Sequence, residues 1–514
     1  MIDLHSNRRQ VVIGLAAASA VPAIGFAQSG TPMQGGTLKI SHSTRIATLN
    51  VMQLSGPAEY PCVDMLFSGL TRIAPGRNSA DPDLATSWDA NDDATQFTFN
   101  LRQGVTFHDG TPFTSADVVA TFEAILDPDF GSPARSVLDM IESVDAVDDH
   151  AVRFNLNSPY ADLPISTAHA NARIVSAAAL AGDLNHLETK PNGTGPFKLE
   201  SYDSARITRL VRFDDYYKDG QPYLDAVEMH LFPDLAAESA NYLSGNVDVM
   251  LNVQQADYAR IAAAEGSNAL RVPAGRYVNV VMRQDQPPFD DVRLRKALAH
   301  SVDRQLLVDL VLEGLGRPAY DNILSPEFQY AIESPEIPYD PAAAKALLAE
   351  AGYPNGIELT MVASNRPAIR GQVAIAIKEM ARPAGFDINV EAMPHDTYLA
   401  NVWRKGNFYM AYWGMQPTED ATFNLLLTST ASYEDTAWFN EEFDELVRRG
   451  RSTSDPEERA AIYAKAQEIQ FRDTPYIIAM YQDVLTASRD WVHGWTVHPL
   501  NRVFYVEDVW LDRG

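Results

Sequence analysis

Between Gln96 and Leu126 the chain changes its apolar period. Phe97, Phe99 and Leu101 alternate with Thr98 and Asn100, the period-two pattern of a strand with one buried face. Gln103-Gly104 and His108-Asp109-Gly110 are turn punctuation, and Val105-Thr106-Phe107 between them reads as a second short strand. The period then becomes helical, with Val118, Phe122, Ile125 and Leu126 on one face. Thr114 supplies the N-cap, Asp117 stands at N3, and Phe113 is placed to staple onto Val118. The segment is a β-β-α scaffold unit, and nothing in its residues is chemical.

Strand-like runs recur at 35–41, 224–229, 245–250, 357–362 and 388–391. Between them lie helices with clear start signals. Pro287-Pro288-Phe289-Asp290-Asp291 leads into a helix striped by Leu294, Leu298 and Val302. Asp303 caps the next, which stops near Gly314. Asp340-Pro341 opens another, with Pro at N1, Leu347 and Leu348 inside and Gly352 at its end. Glu441, Glu442, Asp444 and Glu445 precede Arg448 and Arg449, acid first and base last, which suits a helix dipole. This alternation of helices and strands predicts α/β lobes.

At 514 residues the chain is too long for one core, and about 150 residues per domain suggests two or three. The net charge of -27 argues against nucleic acid and against docking on an anionic membrane. Cys62 is the one cysteine, so no intrachain disulfide forms. Tyr60-Pro61 before it, far past the leader, speaks against a lipid anchor. At the N-terminus Arg8-Arg9 precede an Ala-rich apolar run to Ala27, with Gly25-Phe26-Ala27 as a cleavage site. Residues 1–27 are expected to be an export signal of twin-arginine type, with an ordinary secretory leader as the alternative. The run is too short and Ala-rich to span a bilayer well, so the mature protein is expected to be soluble in the periplasm.

Several longer blocks carry a resemblance. Leu84-Ala85-Thr86-Ser87-Trp88, Leu101-Arg102-Gln103-Gly104-Val105-Thr106-Phe107-His108-Asp109-Gly110 and Thr114-Ser115-Ala116-Asp117-Val118 closely resemble the signature of the family 5 extracellular solute-binding proteins. Those are the dipeptide-, oligopeptide- and nickel-binding components of ABC importers. Thr194-Gly195-Pro196-Phe197 and Pro288-Phe289-Asp290-Asp291-Val292-Arg293-Leu294-Arg295 match further landmarks. The resemblance implies an α/β, two-lobed periplasmic binding protein-like fold (type II, cluster C). Lobe one would comprise 36–70, 191–273 and 488–514, with 71–190 inserted as an extra subdomain, and lobe two 274–487. The crossovers near 273 and 487 would form the hinge.

No phosphate loop, dinucleotide fingerprint, zinc-protease motif, nucleophile elbow or cysteine pair is present, and the eleven histidines are dispersed. No catalytic residue, metal site or cofactor is therefore expected. Four places are candidate ligand contacts. Trp413 ends an apolar run, either walling a ligand or filling the core, and Gln416, Thr418 and Glu419 follow it. In peptide-binding members of the resembled family an aspartate three residues after that Trp holds the peptide's α-ammonium. Gln416 stands there instead, and an amide cannot supply that charge. Arg366 and Arg283 are the second and third, each a fork for a carboxylate or phosphate or a surface ion-pair partner. The fourth, the 43–48 loop with Arg45, is implied by the resemblance alone. The resemblance implies a monomer that delivers a peptide-sized solute to permease subunits in the inner membrane. The alternatives are a periplasmic hydrolase of peptides or glycosides, and a sensory receptor on the same fold.

Overall fold

The computed structural model describes residues 30–513 apart from 55, 57 and 183–185. The expected leader and its cleavage site lie outside the described residues. One eleven-stranded mixed sheet runs through the molecule. Its order is Phe386–Met393, Ile357–Ser364, Phe408–Trp413, Ser267–Met282, Tyr476–Arg489, Val249–Met250, Thr37–His42, Ala226–Leu231, Ile207–Arg212 and Phe197–Tyr202, with Gly316–Pro318 also paired to Tyr476–Arg489. This is the expected two-lobed α/β architecture.

The two longest strands described have 16 and 14 residues. Ser267–Met282 and Tyr476–Arg489 run antiparallel, and their register breaks between Val272 and Arg276, opposite Val484 and Gln482. Gly275 sits in that break, where a Cβ would come 2.5 Å from Ser325 Oγ. Any side chain there would force the backbones apart.

The inserted segment carries a four-stranded antiparallel sheet, Ala85–Ala90, Gln96–Leu101, Ala151–Leu156 and Ile141–Asp148 in that order. Phe97, Phe99 and Leu101 are buried, as their alternation predicts. Helix Ser115–Leu126 covers this sheet through Val118, Phe122 and Ile125. Phe122 and Phe99 both meet Phe154 edge-on, with centroids 4.8 and 5.2 Å apart. Truncating such a ring to Ala costs about 3–5 kcal/mol. The Thr114 N–H donates to Asp117 Oδ2 at 2.8 Å, while Asp117 Oδ1 accepts from Ala177 N at 2.8 Å. One carboxylate thus caps the helix and pins the start of the short helix Ala177–Leu180. The core of this insertion is continuous with that of lobe one, running from Leu38 and Val227 to Phe122 and Phe154.

Val105-Thr106-Phe107 is not a strand. A single bridge from Thr106 to Pro112 closes a loop around Asp109-Gly110, with Asp109 Oδ1 accepting from Thr111 N at 2.9 Å. Three residues between two turns reach no neighbouring strand, and Val105 and Phe107 instead plug the core. The 245–250 run shrinks to Val249–Met250 for a similar reason, because its start is a turn after helix Leu235–Leu243.

Candidate ligand cleft between the lobes

Two adjoining cavities, of about 340 and 360 Å³, open between the lobes and share Leu500 and Arg502. The first is walled by Tyr60, Tyr160, His169 and Arg173 on one side and by Gln416 and Arg451 on the other. The second lies at the break in the sheet, against Thr44, Asn252, Arg276, Tyr412 and Met415. Its lining contains no carboxylate.

Charge in this cleft is unusual for so acidic a chain. Arg173, which lines the first cavity, is neutralised by Asp64 at 2.6 Å. Among the described residues Arg502 has no such partner, and its Nη2 donates to the Met415 carbonyl at 3.3 Å. Burial and the neighbouring Arg276 cation both pull Arg502 below its ordinary value, with the Tyr60 hydroxyl opposing. Arg276 is half-buried and makes no hydrogen bond or ion pair among the described residues. Burial, then Arg502 and Arg173, pushes His169 down to about 4, so it is neutral at pH 7. Its Nδ1 accepts from Asn171 N at 3.2 Å.

Elsewhere the lobes grip each other directly. Arg459 Nη1 donates to Asp162 at 2.6 Å, both buried, and the Ala161 N–H donates to the Arg451 carbonyl at 2.9 Å. The Arg451 guanidinium lies 4.6 Å from the centre of the Tyr160 ring. Glu419 and Asp420 lie behind this contact, and burial pushes each carboxyl up to about 7.

A cleft between two lobes is the frame of a binding protein. The sequence profile of the bacterial extracellular solute-binding proteins, family 5, matches residues 79–435. The chain belongs to that family. Among its family 5 relatives, glutathione-binding protein GsiB of Escherichia coli O157:H7 is 26% identical over 432 residues, 81% of this chain and 83% of that one. Heme-binding protein A of Haemophilus influenzae is 29% identical over 448 residues, 80% and 81% of the two chains. The solved structure of HbpA2 from Haemophilus parasuis shares the fold with a TM-score of 0.85 at 24% identity, covering 93% of this chain and 100% of that one. No helix among the described residues of this family 5 chain is long and apolar enough to cross a membrane.

Of the residues singled out in the sequence, the structure brings Gln416 to the first cavity, where its amide also donates to the Gly414 carbonyl at 3.3 Å. Thr418 and Glu419 are not free for a ligand. Thr418 caps helix Glu419–Leu426, accepting from Ala421 N at 3.1 Å, and buried Glu419 accepts from Tyr330 N at 2.6 Å. Trp413 lines neither cavity and packs with Trp403 and Tyr433 inside lobe two. Strand alternation puts Tyr412, not Trp413, at the cavity. Arg366 is exposed in the turn after Ile357–Ser364 and lines neither cavity. Arg45 turns to Ser204 Oγ at 3.0 Å, although Ser43 and Thr44 before it do line the second cavity. Arg283 lies beyond the far end of its strand, about 20 Å from Tyr277 at ~3.3 Å per residue, and forks onto Asp285.

Sequence reasoning missed Arg276 and Arg502, and at the end of the 409–413 run it singled out Trp413 rather than Tyr412. It also missed Arg370, a buried guanidinium lying 5.2 and 6.0 Å from the ring centres of Tyr398 and Tyr412. Neither Gly275-Arg276 nor Asn501-Arg502 carries a local signal, because what distinguishes them is the partner each lacks in space.

Proposed function

We propose that this protein is the periplasmic substrate-binding component of an ABC importer, capturing a peptide-sized solute by closing two lobes and passing it to a permease. The observation that carries this reading is the interlobe cleft, with cavities of about 340 and 360 Å³ in the range of small-molecule sites. Lobe one is assigned to 36–70, 191–273 and 488–514 with the 71–190 insertion, and lobe two to 274–487. The hinge lies at the register break around Val272 to Arg276 and Gln482 to Val484. Closure is a population shift between open and closed lobes, and no bond is made or broken. Relatives named for binding glutathione and heme support a ligand class of compact, carboxylate-bearing molecules. Export as a soluble, unlipidated monomer completes the reading.

The experiment is a thermal-shift screen of the exported protein against tripeptides, reduced and oxidised glutathione, heme, opines and nickel chelates. A true ligand at a hundred times its Kd stabilises the native state by about 2.7 kcal/mol. The expected result is one such class of ligand, recovered unchanged in mass after incubation. Conversion to product in proportion to protein would replace the receptor with a hydrolase.

A further inference from the structure

The cleft's cations carry information beyond the receptor assignment. The chain holds 68 acidic residues against 41 Lys and Arg, so acid is in excess. Four inward-facing arginines use it: Arg72 with Glu507, Arg173 with Asp64, Arg304 with Asp321 and Arg459 with Asp162. Buried Arg295 is satisfied instead by the Phe289, Asp473 and Thr474 carbonyls. Two more, Arg370 and Arg489, lack an acid but each lies over two aromatic rings. Among the described residues Arg276 and Arg502 have neither an acid nor a ring as partner, although both are half-buried and line one cavity, where the Arg276 cation lowers the affinity of Arg502 for its proton. A desolvated cation without a partner is costly, and two side by side are costlier.

We infer that Arg276 and Arg502 form a carboxylate-binding subsite at the break in the sheet, reserved for the acid end of the imported solute. This rests on the solute-binding reading. Guanidinium is the fitting chemistry, because its planar fork takes a carboxylate with two parallel hydrogen bonds. The second cavity, with no carboxylate in its own lining, has nothing to compete for these forks. The neighbouring His169 is neutral and leaves the charge to the two arginines.

The location couples occupancy to closure. Arg276 stands where the register of the two long strands breaks. Arg502, on the C-terminal segment, reaches the Met415 carbonyl just past the Phe408–Trp413 strand. In the empty protein their like charges resist approach. A carboxylate between them turns that repulsion into two attractions, which exist only when the lobes are together. That is the differential affinity a ligand needs to shift the equilibrium.

The test pairs acids with their neutral forms. Trialanine and reduced glutathione are titrated calorimetrically beside trialanine amide and glutathione diester, into the native protein and into Arg276→Gln, Arg502→Gln, Arg502→Lys and Arg283→Gln. The acid that binds is expected to lose roughly 30-fold or more in affinity on amidation or esterification, and as much in either Gln variant. Arg502→Lys keeps the charge without the fork and falls between, while Arg283→Gln is unchanged. The melting temperature of the unliganded Gln variants should equal or exceed the native value, which separates lost binding from lost folding. Should one Gln variant fail to fold, the other and the neutral ligands still decide. Neutral forms binding the native protein within threefold of the acids would overturn the subsite while leaving the receptor intact. Undiminished acid binding in both Gln variants would do the same. If no member binds, acid or neutral, both the subsite and the peptide-sized solute are overturned.

Discussion

Two sets of arginines face the boundary between the lobes, and they are treated oppositely. Arg459 is buried with an acid from the other lobe, Asp162, and Arg451 lies over Tyr160 with Asp420 3.8 Å away. Arg276 and Arg502 face the same boundary at the sheet break, in a cavity lined by no carboxylate, and neither is ion-paired among the described residues. A chain with so many carboxylates could have neutralised both sets. The contrast separates contacts that complete the protein from contacts that wait for something else. An arginine at a domain boundary is informative mainly through the partner it does not have.

The largest expected effect falls on the paired set. Removing one member of a buried ion pair strands the other, at about 3–5 kcal/mol while it stays buried. Asp162→Asn should therefore favour open lobes, where Arg459 regains water, and small-angle scattering should report a larger radius of gyration. A radius unchanged from native would show that this pair does not hold the lobes together. The unpaired set predicts the reverse sign for the empty protein: Arg276→Gln relieves a like-charge contact and should not lower the melting temperature. A drop of several degrees there would reveal a structural partner and erase the contrast.

A smaller effect follows from protons. Burial holds the Asp420 carboxyl up to about 7, above its ordinary 3.8, with Arg451, Asp162, Arg459 and Asn424 around it. A carboxyl raised on folding favours the native state at low pH, and that contribution is lost as pH rises through about 7. Asp420→Asn removes this titration. Relative to native, the variant's melting temperature should rise between pH 5 and 8, by roughly 1–2 °C. A difference that stays flat, or narrows with rising pH, would mean that Asp420 is ionised throughout.

The smallest effect belongs to Arg283, whose fork onto Asp285 is a solvated pair worth about 0–1 kcal/mol. Arg283→Gln should leave thermal stability within about 1 °C. A larger loss would give this surface pair a role that its exposure does not suggest.

How much of this was legible in the sequence follows from what each feature depends on. The strand Gln96–Leu101 and the Thr114–Asp117 helix start were readable because period and capping are local. Asp303 and Asp340 announced their helices for the same reason. The 105–107 segment failed because a strand needs a neighbour, and short apolar runs look alike whether they pair or plug a core. At the cleft, Gln416 was found by counting from Trp413, yet the cavity took Tyr412, since neighbours on a strand face opposite ways. Thr418 and Glu419 sat in the right stretch of chain with side chains already engaged. Arg276 and Arg502 were out of reach altogether, because they come together only when distant parts of the chain meet.

The central claim is that an acid end of the solute, held by Arg276 and Arg502, closes the lobes. Spin labels at exposed Leu235 and Leu310, one on each lobe and each changed to Cys, would report that closure by pulsed electron resonance. Cys62 does not interfere, being fully buried with its thiol pushed up to about 12. On adding whichever of glutathione or trialanine binds, the native distance distribution should narrow to one shorter separation, while Arg276→Gln/Arg502→Gln stays broad. The same narrowing in that double variant, or a native distribution that ignores a bound acid, would contradict the account.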